Sequence, residues 1–167
     1  MEKTCCALCA GASWEEYFAK LTAIIERVGW AVQGVGGSPE DGVLSHAYTI
    51  GLSRAAHPEF IIFGLPTEVV LDILNGLARR VVAGEVFTPG PPRHDIVGNG
   101  YAAQLIGVAD PSEHLPMAQH YSPGPLPALQ VVWPDASHRF PWDEGCRSPQ
   151  PVLGARPRSF GPFAPEG

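Results

Sequence analysis

No apolar run in this 167-residue chain approaches the roughly 18 residues that a membrane-spanning helix requires. Its opening stretch, MEKTCCALCAG, is too short and too polar for a secretory leader. Basic residues are scarce, with 11 Lys+Arg against 17 Asp+Glu and a formal net charge of −6. That balance argues against a surface built for nucleic acid or an anionic membrane. The chain also lacks a Gly-x-Ser-x-Gly elbow, a Gly-x-Gly-x-x-Gly or P-loop glycine pattern, a His-x-x-x-His pair, a second Cys-x-x-Cys, an internal repeat and a heptad seam. Serine hydrolases, dinucleotide-binding enzymes, P-loop enzymes and the common zinc modules therefore lose their usual signatures. The expectation is a bacterial-type cytoplasmic protein with reduced thiols.

What the chain does have is 45% hydrophobic and 17% charged residues, a globular composition at a length that suits one core. Its 19 glycines and 18 prolines imply much turn and coil. Between Ser13 and Val28, the residues Tyr17, Phe18, Leu21, Ile24, Ile25 and Val28 recur at three- and four-residue steps and predict an amphipathic helix. Ser13 with Glu16 reads as a capping box, and Gly29 as the stop. Trp30 to Val35 and Leu44 to Leu52 read as strands around a turn-rich loop. On the second strand Leu44, His46, Tyr48, Ile50 and Leu52 form a large face, while Ser45, Ala47, Thr49 and Gly51 form a small one. The large face predicts core. The small face leaves room for either a packed helix or the edge of a flat ligand.

His57-Pro58-Glu59 reads as a turn into Phe60 to Leu65, a strand apolar on both faces and hence central. After Pro66, Thr67 is placed to cap a helix running to about Ala83. Thr88 to Gly100 is a surface loop turning at Asn99-Gly100 into a strand from Tyr101 to Val108. Asp110-Pro111-Ser112-Glu113 starts a helix that Pro116 interrupts before a restart through Tyr121. A last strand covers Pro127 to Trp133. From Arg147 onward, five prolines and three glycines predict coil, with three arginines facing an otherwise acidic body. The organisation expected is a cysteine-containing segment over residues 1–12, one α+β domain over 13–146, and a tail over 147–167. The core is a mainly antiparallel sheet or a split-barrel-like one, with two main helices.

Few constellations point to chemistry. Cys6-x-x-Cys9 supplies half a tetrahedral metal site, whose thiolates must sit about 2.3 Å from one ion; a structural zinc would recruit Cys146, Cys5 or a histidine. The same thiols beside a helix start could instead be a redox pair or ordinary free thiols. His46, on the large face, reads first as a satisfied core histidine, and His94-Asp95 as surface polarity. Gln33, Gln104 and Gln130 each fall within a strand and would face one cavity only if those strands were neighbours.

Several segments carry a family resemblance: Gly29-Trp30-Ala31-Val32-Gln33-Gly34-Val35, Ala47-Tyr48-Thr49-Ile50-Gly51-Leu52, His57-Pro58-Glu59-Phe60 with Phe63-Gly64-Leu65-Pro66, Ala128-Leu129-Gln130-Val131-Val132-Trp133-Pro134-Asp135, Phe140-Pro141-Trp142-Asp143 and Gln150-Pro151-Val152-Leu153-Gly154. In that order they resemble the bacterial family catalogued as domain of unknown function 4262, which brings no established activity with it. The resemblance extends to a short cysteine-containing segment before the first helix, from which the extra Cys5 departs. The Tyr-Thr-Ile-Gly-Leu strand is also similar, more faintly, to flavin-reductase-type split barrels. That second likeness implies that Thr49, Gly51, Ser53 and Arg54 would meet a cofactor, Arg54 through its phosphate.

Two functions of different class follow. One is a small-ligand-binding domain, in its narrower form a flavin-type oxidoreductase, with the strand from Ser45 to Arg54 lining the site. The other is a non-enzymatic accessory protein holding zinc through Cys6, Cys9 and Cys146. The partners implied are a small molecule and no nucleic acid or membrane, with self-association left open.

Overall fold

A computed structural model describes residues 11–157. Helix α1 covers Trp14–Val28, with the expected ends: Ser13 Oγ accepts from the Glu16 backbone N–H at 3.2 Å, and Glu16 Oε2 accepts from the Ser13 N–H at 2.9 Å. These satisfy two amides that a bare helix start would leave unpaired. Gly29, at φ 99°, ends the helix and donates to the Ile25 carbonyl.

Strands β1 (Ala31–Val35), β2 (His46–Ile50) and β3 (Glu59–Phe63) form an antiparallel meander. Helix α2 (Thr67–Val82) then leads through a long loop to β4 (Gln104–Gly107), the short helices α3 (Pro111–His114) and α4 (Pro116–Tyr121), and β5 (Ala128–Val132). The sheet order is β1-β2-β3-β5-β4, with only β3 and β5 parallel. This is the expected α+β class with a mainly antiparallel sheet and two main helices. The split-barrel alternative is corrected: β1 and β4 are opposite edges of an open sheet, and closing a barrel would require them to meet.

The core lies on both sides of the sheet. Tyr17, Leu21 and Ile25 of α1 pack with Tyr48, Ile50, Ile61 and Phe63 on one face, where Leu115 and Ala118 join them. Val70, Ile73, Leu74, Leu77 and Val81 of α2 pack with Ala47, Phe60, Ile62, Leu129 and Val131 on the other. The small face of β2 is thus filled by a helix. Two sequence expectations shift here. Gly51 takes φ 107° and ends β2 after Ile50, so Leu52 begins a 3-10 turn (Leu52–Ala55) and joins the α2 side of the core rather than extending a large face. Thr67 is the first helical residue of α2; Pro66 is the cap and supplies no side-chain bond.

The loop after α2 is held by charge and aromatic contact. Arg80 and Arg93 both bond Asp95 and Glu85, and both guanidinium groups lie 4.9 Å from the centroid of the buried Phe87 ring. The paired guanidiniums hold the Asp95 and Glu85 carboxyls below their ordinary range. Asp95, expected to be plain surface polarity beside His94, is therefore a clamp that fastens the loop to α2. Residues 147–157 carry no helix or strand, yet they dock on the sheet. Gln130 Nε2 donates to the Pro151 carbonyl, the Leu153 N–H donates to Gln130 Oε1, and the Ala109 N–H donates to the Leu153 carbonyl. No helix among the described residues is long and apolar enough to cross a membrane.

Candidate functional site

Three of the four residues singled out on the second strand come together, around a carboxylate the sequence reading had placed in a turn. Glu59 opens β3 and is fully buried. Its Oε2 accepts from Thr49 Oγ1 at 2.6 Å, and its Oε1 accepts from the backbone N–H of Gly51 at 2.8 Å and of Ser53 at 3.3 Å. Thr49 Oγ1 in turn accepts from the Phe60 N–H at 2.9 Å. The carboxyl thus caps the 3-10 turn after Gly51 and ties β2 to β3. Burial pushes its pKa up to about 7, against the smaller opposing pull of the Thr49 hydroxyl and the three amides of the turn. A lone acid heading the apolar run Glu59-Phe60-Ile61-Ile62-Phe63 is the sequence signal that could have exposed it.

Thr49 and Gly51 are buried in this node, Ser53 is half-buried beside it, and Arg54 stands exposed at the end of the turn. His57, next to Glu59, is also buried: its Nε2 accepts from the Phe87 N–H at 2.9 Å and its Nδ1 bonds the Pro58 carbonyl at 2.7 Å. An amide can only donate and a carbonyl only accept, so the proton sits on Nδ1.

Cys6 and Cys9 lie outside the described residues. Cys146 is half-buried, donating to the Arg139 carbonyl at 3.1 Å and accepting from the Ser148 N–H at 3.3 Å. Among the described residues no three His, Cys, Asp or Glu side chains group as metal ligands. The three glutamines do not converge. Gln33 lies on the β1 edge and bonds the Gly34 carbonyl, Gln104 lies on the opposite edge and bonds the Gly90 carbonyl, and Gln130 holds the chain at residues 151–153.

An open concavity lies elsewhere, over the start of β2 and along β1. A solvent-open cleft of about 540 Å³ has one wall from α1 (Tyr17, Lys20, Leu21, Ile24) and another from Leu65 and α2 (Thr67, Val70, Leu71). Its floor includes Val32 to Gly36 and Ser45 to Ala47. It reaches the expected site strand only at that strand's first residues. His46 is half-buried in it, its ring stacked 4.8 Å from Phe63, and burial lowers its pKa, keeping the neutral imidazole. Lys20 is the only permanently charged side chain among the residues lining the cleft. Sequence reading missed it because its polar groups come from α1, β1, β2 and α2, and none forms a local motif.

Fold and cleft together define an open-sheet α+β domain with helices on both faces and a concavity at one sheet edge. Residues 24–147, most of the chain, match the model of the family described as Domain of unknown function (DUF4262), and the chain belongs to that family. No curated protein and no solved structure matches it.

Proposed function

We propose that this domain binds a small molecule in the cleft between α1 and α2, and that the ligand joins an apolar body to one anionic or acceptor group. The observation carrying this reading is the cleft itself. Its volume is that of a small-molecule site, its walls are mostly aliphatic, and a few polar groups converge in it, namely Lys20, His46, Ser45 and Thr67. Lys20 supplies the charge that an anionic head would meet. The neutral His46 ring offers a hydrogen-bonding nitrogen without adding charge. Thr49 and Gly51 support the site from behind by fixing the continuation of its floor strand.

The test uses 1-anilinonaphthalene-8-sulfonate, an anionic aromatic dye, titrated onto folded protein with fluorescence as the readout. Wild type binds saturably, and Lys20→Glu weakens binding by about fivefold or more, as reversal of one ligand-facing charge requires. Arg54→Glu reverses a charge of the same sign outside the cleft and leaves binding unchanged. Equal effects of the two substitutions, or non-saturable binding, would sink the proposal.

A further inference from the structure

The free edge of β1 carries a second reading, independent of which small molecule the cleft takes. The Gly64 N–H donates to the Ser45 carbonyl at 2.9 Å, so the odd-numbered residues of β2 turn their backbone groups toward β3 and the even-numbered ones toward β1. His46, Tyr48 and Ile50 lie opposite Val35, Gln33 and Ala31. The N–H and C=O of Val32 and Gly34 therefore point away from the sheet. The segment Ala31-Val32-Gln33-Gly34-Val35 has neither charge nor proline, the devices that usually blunt an edge, and a side chain at Gly34 would meet open space. Gln33 Nε2 bonds the Gly34 carbonyl, so one acceptor of the edge is held by a side chain that can be displaced.

Four exposed large apolar side chains lie beside the same edge. Val35, Val28, Leu71 and Val82 are 37%, 40%, 40% and 51% exposed, on the strand and on the helices that flank it. One stripe of α2 carries opposite charge at its two ends: Arg79 lines the groove beside β1, and Glu68 and Asp72, eleven and seven residues earlier, share its side of the helix.

We infer that β1 pairs antiparallel with β1 of a second copy of this chain, about a two-fold axis at Gln33, joining the two five-stranded sheets into one. This register places Val32 opposite Gly34 of the second copy, where the outward backbone groups of both can bond. It runs the two α2 helices in opposite directions, so Arg79 of each meets Glu68 and Asp72 of the other. That self-complementarity of charge selects a second copy over an unrelated strand. The second copy's β1 then lies along the β1 floor of each cleft, so pairing and ligand binding compete for that edge.

Sedimentation velocity on the full chain tests the pairing. Wild type runs at twice the 17.8 kDa chain mass at about 100 μM, a concentration at which dimers of micromolar affinity are populated. Gly34→Pro removes an outward N–H that the β2 ladder does not use and yields monomer. Arg79→Glu weakens the dimer by about tenfold or more, and adding Glu68→Arg and Asp72→Arg to it restores self-pairing. A monomeric wild type overturns the inference, including one that instead takes up an extended peptide along β1. So does a dimer insensitive to both Gly34→Pro and Arg79→Glu. Dye binding is read separately, so loss of the dimer and loss of the ligand site are distinguishable.

Discussion

Replacing Glu59 by alanine is expected to cost about 3–5 kcal/mol of folding stability, because two buried donors and a half-buried one lose their acceptor at once. The Thr49 hydroxyl and the Gly51 and Ser53 amides all point at the Glu59 carboxyl, and alanine leaves a void in place of the group that joins β2, the following turn and β3. Urea unfolding measures the loss; a change under about 1 kcal/mol would mean that water replaces the carboxyl without cost. The pH profile distinguishes this residue from an ordinary packing position. Its folded pKa of about 7 lies above the ordinary 4.5, so the native state holds a proton that the unfolded chain releases. The stability contributed by the neutral carboxyl is full below about pH 4.5 and is lost as pH rises through 7. The span corresponds to about 3 kcal/mol at 1.36 kcal/mol per pKa unit. Glu59→Gln keeps the shape and an acceptor oxygen but does not titrate. The difference between wild-type and Glu59→Gln profiles should therefore slope between pH 4.5 and 7, and parallel profiles would refute the assignment.

Gly51→Ala should also destabilise strongly, by about 3 kcal/mol, for a different reason. At φ 107° the backbone is where L side chains are strained, and a Cβ would stand 3.0 Å from Ile25 Cγ2 and 3.2 Å from the Gly29 carbonyl oxygen. Neither neighbour yields cheaply, since Ile25 is a buried core residue of α1 and Gly29 is its backbone stop. The thermal midpoint should fall by roughly 6–12 °C, whereas Gly107→Ala, where a Cβ meets nothing within 4 Å, should move it little. Equal shifts in the two variants would show that α1 moves aside freely.

The parts of this architecture legible in the sequence are those fixed by neighbours along the chain. The Ser13–Glu16 box, the apolar stripe of α1, the restart at Pro116 and the continuous apolar run of β3 all depend on residues within a few positions of one another. What was not legible depends on partners far apart. The small face of β2 accommodates either a helix or a ligand, and only the path of α2 decides for the helix. Thr49, Gly51 and Ser53 read in the sequence as cofactor contacts; in the structure they gather around Glu59, six to ten residues further on and brought back by the turn of the chain. The cleft draws Lys20, His46 and Thr67 from three elements with no spacing rule between them.

The parallel pairing of β3 with β5 also dictates an order of assembly. β1, β2 and β3 are successive antiparallel strands, so their contacts close short loops at small entropic cost. Roughly sixty residues separate the end of β3 from the start of β5, including α2, β4 and both short helices. The seam at the middle of the finished sheet is therefore the last to be zipped. Until it is, the apolar flank of β3 that β5 will cover stays open to whatever else is in solution, so aggregation during refolding should track the lifetime of that half-built sheet.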